Sequence, residues 1–240
     1  MLHKTKGVVL KTTEYSESSV VVQIFTEKFG MQSYIINGVK KAKSRIKMNM
    51  LQPLHLVDMV VYQKPGADIQ KVSELRNDPV FETIPYDMVK SCLAMFLNEV
   101  VYKSIRGNSA DQPLFFFLHN TIPMLDHAQK GVANYHIWFL LKLSRYLGFY
   151  PEQSKVQSRF FDLQSGSFTD TMPLHPHALE GQLKDLFSKF LAASIEDLSL
   201  IVMSGPLRRE LLRAILDYYR FHLDSLGEIH SHLILEEVLS

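Results

Sequence analysis

The sequence predicts an α+β protein in which a small closed β-barrel at residues 1–78 precedes a mainly helical domain at residues 79–240. Three observations predict it. The first 76 residues are dominated by β-branched runs at short intervals, and after Asn77-Asp78-Pro79 the hydrophobic period changes from two to about 3.6. Charge divides at the same place: residues 1–76 carry 12 Lys and Arg against 6 Asp and Glu, whereas residues 77–240 carry 14 against 19. The 240 residues are also 46% apolar, enough for one large domain or two ordinary ones and too apolar for general disorder.

Five strands account for the first segment: Gly7–Thr13, Ser19–Thr26, Met31–Asn37, Leu54–Gln63 and Ile69–Leu75. Their separators hold the glycines, prolines and charges of turns. Alternation fails across Val20-Val21-Val22-Gln23-Ile24-Phe25, which points to strands with little free face. A sheet closed on itself explains that and leaves no edge exposed. Five strands in about 75 residues match an OB-type barrel, and an SH3-like barrel satisfies the same counts.

Helices are predicted near Tyr86–Ile105, Pro113–Asp126, Val132–Phe149, His177–Ala192 and Gly205–Ser225, with shorter pieces near Ile195–Met203 and Ile229–Leu239. Ile137-Trp138-Phe139-Leu140-Leu141 is apolar on every side and predicts a central helix. Between Tyr150 and Pro173 polar residues interrupt the pair Phe160-Phe161, predicting a loop with a short hairpin. The single cysteine, Cys92, excludes intrachain disulfides and a multi-thiolate metal site; its place beside Leu93 and Phe96 predicts a buried, inert thiol. No stretch approaches the roughly 18 apolar residues of a membrane span, and Met1–Gly7 has no signal core, so a cytoplasmic location is expected.

Signatures of catalysis are missing. There is no Gly-x-Ser-x-Gly turn, no phosphate-cradling Gly-x-x-x-x-Gly-Lys-Ser/Thr loop and no Gly-x-Gly-x-x-Gly. Two His-x-His pairs, His175 with His177 and His230 with His232, lack helical zincin spacing and an obvious third ligand. No enzyme activity, metal or cofactor is therefore expected. The rival from that class is a metal-dependent enzyme built on His175, His177 and Asp170; a protein-binding scaffold that never touches nucleic acid is a further alternative.

The informative cluster is basic. Lys40, Lys41, Lys43, Arg45 and Lys47 fall within eight residues, from 40 to 47, without an acid among them. Mutually repelling cations on a loop call for an anion, and a phosphate backbone is one whose neutralisation releases counterions. Tyr15, Phe25, Tyr34 and Tyr62 could stack bases if they faced outward. Phe25 and Tyr62 are expected to fill the barrel instead, whereas Tyr15, at a turn, is the better contact candidate. With Lys11, these give the candidate DNA-binding set Lys11, Tyr15, Lys40, Lys41, Lys43, Arg45 and Lys47.

Gly7-Val8-Val9-Leu10-Lys11-Thr12, Glu14-Tyr15-Ser16-Glu17-Ser18-Ser19 and Phe25-Thr26-Glu27-Lys28-Phe29-Gly30 resemble the opening of the RecO family of bacterial DNA-repair proteins. The likeness continues through Gly38-Val39-Lys40-Lys41-Ala42-Lys43-Ser44-Arg45 and Leu51-Gln52-Pro53-Leu54, and returns at Phe139-Leu140-Leu141-Lys142-Leu143-Ser144-Arg145-Tyr146-Leu147-Gly148-Phe149. The resemblance implies an N-terminal OB-fold joined to a helical domain, binding single- and double-stranded DNA and annealing strands. It further implies work with RecR and the single-strand-binding protein SSB to place RecA on coated strands, without enzymatic chemistry, in the cytoplasm at the nucleoid. One departure stands out: many relatives carry a four-cysteine zinc module after this helix, whereas residues 150–173 here hold no cysteine, so no structural zinc is expected.

The helix opens with Gly205-Pro206, and Arg208 and Arg209 follow at once, where the helix dipole disfavours cations by ~0.3–1 kcal/mol each. Something negative should offset them. Arg209, Arg213 and Arg220 share a stripe within about 40°. Pairing with Glu210 and Asp217 inside the helix is the bland account. Docking of an acidic partner, such as the SSB C-terminal tail that the resemblance suggests, is the functional one, with Lys142 and Arg145 as further candidates.

Overall fold

A computed structural model describes every residue except 106, 225 and 240. It forms two compact units, residues 1–87 with 98–127 and residues 88–97 with 128–240. The strand-to-helix change at 78/79 is thus not where packing divides: residues 98–127 belong with the barrel.

In the first unit β1 (Leu2–Glu14), β2 (Val20–Thr26), β3 (Gly30–Ile36), β4 (Leu56–Tyr62) and β5 (Ile69–Asn77) close in the order β1-β2-β3-β5-β4. Every pair is antiparallel except β3 with β5, which run parallel from Ser33↔Ile69 to Ile35↔Lys71. That closure is the OB-type arrangement. β1 begins at Leu2, five residues before the predicted strand, because polar His3, Lys4 and Lys6 mask the alternation that pairing with β4 imposes, from Leu2↔Tyr62 to Val8↔Leu56. Val9, Val20, Val22, Ile24, Tyr34, Val57, Met59 and Val61 fill the interior. A Cβ on Gly7 would stand 2.4 Å from Ile24 Cγ2, so glycine is what lets β1 lie this close to the core.

Phe25 is buried outside the barrel, not within it. Its ring lies 6.3 Å from that of Phe115 on α2 (Gln112–His127). The end of α1 (Met88–Ser104) also covers strands: Asn98 donates to the Leu10 carbonyl at 2.9 Å and Tyr102 donates to Gln23 at 2.7 Å. Asp126 ties the segment after β5 to α2. Its carboxylate accepts the amide N–H groups of Glu82, Thr83 and Ile84 at 2.8–2.9 Å, and its carbonyl accepts the Thr83 hydroxyl.

The second unit contains α3 (Tyr135–Tyr146), α4 (Gly181–Ala192), α5 (Gly205–His222) and α6 (Ser231–Val238). Every residue from Tyr135 to Leu141 is buried, as the all-round apolar pattern predicts for a central helix. The hairpin predicted in 150–173 is β6 (Phe160–Asp162) with β7 (Ser167–Thr169), and a third strand, β8 (Ala178–Glu180), joins it in the order β7-β6-β8. That strand takes residues predicted as the start of a helix from His177, so α4 begins only at Gly181. The predicted piece Ile195–Met203 is a single 3-10 turn, Glu196–Ser199. The predicted end of α5 at Ser225 lies outside the described residues. Cys92 is half-buried and free, less enclosed than predicted because it lies beside the apolar stripe of α1 rather than within it. Among the described residues no helix is long and apolar enough to cross a membrane.

Burial works to raise the Asp126 pKa, but the amide donors outweigh it and hold the carboxyl below its ordinary value. A depressed folded-state pKa stabilises above the unfolded value and is lost as pH falls through the folded one. Asp126→Ala should therefore cost ~1–3 kcal/mol at pH 7 in urea unfolding, with the gap to wild type narrowing below about pH 4.

Candidate nucleic-acid interface

The basic loop is fastened to the barrel by its own apolar residues. Val39 and Leu51 belong to the barrel core, and Ile46, Met48 and Met50 pack against it. Between these anchors the backbone turns tightly: Lys41 N–H donates to the Gly38 carbonyl at 3.0 Å, Ser44 N–H to the Lys41 carbonyl at 3.0 Å, and the Ser44 hydroxyl to the Ile46 carbonyl at 2.7 Å. Gly38 sits at φ 75°, where a side chain would be strained. Lys40, Lys41, Lys43, Arg45 and Lys47 are consequently all exposed. Lys40 is held by Glu14 at 2.7 Å. That hydrogen bond, reinforced by the ammonium charge, keeps the Glu14 carboxyl below its ordinary pKa. Among the described residues Lys41, Lys43, Arg45 and Lys47 have no acidic partner.

Lys11 and Tyr15 are not drawn into this loop. Side chains alternate along β1: Thr12 donates to the Leu51 carbonyl at 2.9 Å and Glu14 meets Lys40, so these two face the loop. Lys11 points the other way, its ammonium 5.4 Å from the Tyr102 ring centre. Tyr15 is 64% exposed in the β1–β2 turn. Tyr34 fills the barrel, and burial pushes its pKa up to about 12. Tyr62, predicted inside, is 45% exposed, because the inward face of β4 is taken by Val57, Met59 and Val61. A groove of about 620 Å³ over β1, β4 and β5 collects Lys4, Lys6, Lys28 and Arg76, but also Glu27, Asp58 and Glu74. Arg76 is paired with Asp58 at 2.8 Å, so this groove offers no comparable excess of unpaired cations.

The arginines of the second unit are engaged differently from the spacing argument. Arg220 meets Asp217 at 2.7 Å, as spacing suggests. Arg213 passes over Glu210 and takes Glu236 of α6 at 3.0 and 2.6 Å, a partner 23 residues away that no helical spacing could reveal. Arg208, whose unfavourable position near the helix start is legible in the sequence, donates to Asn134 Oδ1 at 3.2 Å. Lys142 donates to the Leu191 carbonyl at 2.8 Å; burial, with Arg145 adding to it, lowers its pKa. The Arg145 guanidinium lies 5.1 Å from the Tyr150 ring centre, and Arg209 is half-buried.

Among the described residues the histidines do not assemble a metal site. His175 approaches Asp162 at 3.4 Å, while Asp170 accepts instead from the Arg159 amide at 3.1 Å and the Ser158 hydroxyl at 3.2 Å. Among the described residues no three His, Cys, Asp or Glu side chains group as ligands. The cysteine-free segment does not fit the zinc that the resemblance brings to mind. Rings occupy its centre: Phe161 lies 4.3 Å from Phe187, 4.8 Å from Phe168 and 5.7 Å from Tyr218.

Comparison with known proteins divides the chain where the strand pattern gives way to the helical one, not where packing divides it. Residues 1–77 match the family model described as Recombination protein O N terminal, and residues 85–228 match Recombination protein O C terminal. The chain belongs to the RecO family. The DNA repair protein RecO of Phocaeicola vulgatus is 32% identical over 241 residues, covering 100% of both chains. Those of Bacteroides fragilis and Flavobacterium johnsoniae are each 32% identical and cover 99% of both chains. RecO membership gives the chain a role in DNA repair and recombination. The C-terminal family model ends at residue 228, before α6, while the alignment with the Phocaeicola vulgatus relative runs through α6 as well.

Because Phe161 is fully buried at the centre of the ring cluster, Phe161→Ala should cost ~3–5 kcal/mol in denaturant unfolding. A chelator should leave the wild-type midpoint where it was.

Proposed function

We propose that this chain is a non-enzymatic recombination mediator that binds single- and double-stranded DNA through the loop at residues 38–47 and anneals complementary strands. The observation that carries this reading is the set Lys41, Lys43, Arg45 and Lys47, exposed together and without an acidic partner among the described residues. Annealing requires no covalent catalyst. It requires that the repulsion between two polyanions be screened, and a row of cations on a rigid loop does this while releasing counterions. Tyr15 and Tyr62 are exposed and able to stack bases at ~1–3 kcal/mol each. The family assignment supports the rest of the role: RecR as co-mediator, the acidic tail of SSB as the docking partner of the second unit, and RecA as the protein placed on the coated strand.

Changing Lys40, Lys41, Lys43 and Lys47 to glutamate should abolish annealing, followed by fluorescence quenching of labelled strands, without shifting thermal unfolding. Persistence of full annealing contradicts the assignment. Filter binding across salt should give a slope of about −2.8 for single strands if four cations each meet a phosphate. Glu14→Gln releases Lys40, so that variant should bind single strands more tightly and steepen the slope toward about −3.5. A protein that retains no single-strand binding at low salt is a scaffold instead.

A further inference from the structure

The pocket closed by the last helix is untouched by the DNA-binding reading. α6 lies against α5, and His136, Arg208, Arg209, Leu212, Leu235 and Glu236 line the space between them. Leu235 and Glu236 help to hold α6 there. Leu235 is fully buried, and Glu236 grips the Arg213 guanidinium with only 10% of its own side chain exposed while Arg213 remains 62% exposed. A helix of eight residues does not persist alone in water, so α6 owes its shape to this seat.

The seat suits more negative charge than α6 brings. Arg208 and Arg209 are the fourth and fifth residues of α5, close to the positive end of the helix dipole, and Arg213 follows one turn after Arg209. Glu236 pairs with Arg213 alone; Arg209 has no acidic partner among the described residues, and Arg208 meets only the neutral amide of Asn134. His136 is buried beside them with its Nδ1 unpartnered. The occupant is therefore of the right kind, acidic and apolar together, but incompletely matched.

We infer that α6 is a displaceable, self-supplied occupant of a peptide site: an acidic partner segment with apolar side chains takes the place of Leu235 and Glu236 on α5, and α6 must leave for it to bind. This rests on the reading that α5 docks an acidic tail, and adds that the chain's own end competes for the seat. Affinity for a partner is reduced by the fraction of molecules whose site is open.

The test uses the full chain and a fluorescent nonapeptide of alternating Asp and Phe with a free C-terminal carboxylate. Glu236→Gln loosens the clasp without altering the arginines, and should bind the peptide ~3–10-fold more tightly by anisotropy. In the wild-type protein, saturating peptide should accelerate amide hydrogen exchange across residues 231–238. Equal affinity of both proteins, with α6 exchange unchanged or slowed, overturns displacement and leaves tail docking intact. Absence of binding to either protein removes tail docking and the inference together.

Discussion

The arrangement of the N-terminal unit depends on apolar side chains holding a charged loop in place. Two unit charges about 7 Å apart in water repel by about 0.6 kcal/mol, so the cations of residues 40–47 push their own loop apart. Burying an aliphatic side chain returns ~1.5–3 kcal/mol, and Val39, Leu51 and the partly buried Ile46, Met48 and Met50 are all set against the barrel core. The anchors win. The result is a charged surface that is presented rather than merely present, with its lysines confined to positions between fixed points. Of the loop cations, among the described residues, Lys40 alone has its charge met, by Glu14, and that pair sits at one end of the row.

The second unit handles its cations by recruitment instead of anchoring. Arg208 finds Asn134, Arg213 finds Glu236 and Lys142 finds a backbone carbonyl of α4. Each partner comes from a different element, so the same side chains that could greet an outside anion also stitch helices together. Binding at such a place necessarily competes with cohesion, whereas the loop of the barrel can accept a ligand without surrendering any packing.

Much of this was legible in the residues because it is local. Period-two runs separated by Gly, Pro and charge located five strands, and the all-round apolar stretch at Ile137–Leu141 located the central helix. Non-local pairings were not legible. β8 is three residues long and abuts a helix, so Ala178-Leu179-Glu180 carries no period of its own; only pairing with Phe160–Asp162 makes it a strand. Tyr62 looked like core because tyrosine in a β-run usually is, and the register of β4 decides otherwise. The roles of Glu14 and Glu236 are not legible for a common reason: each lies more than 20 residues from the cation it meets, 26 in one case and 23 in the other. The Arg208–Arg209 dipole conflict calls for a negative partner, yet the nearby acid Glu236 goes to Arg213, and Arg208 takes the amide oxygen of Asn134.

The ring cluster around Phe161 bears on how this protein lives with its surroundings. A hairpin clamped by sulfur and metal reports on its environment: it slackens when the ion is scavenged, and oxidants attack its ligands. Rings pressed against Phe187 and Tyr218 have neither vulnerability, since nothing there can be sequestered or exchanged. During the oxidative episodes that break chromosomes and create the need for repair, this part of the molecule would keep its shape.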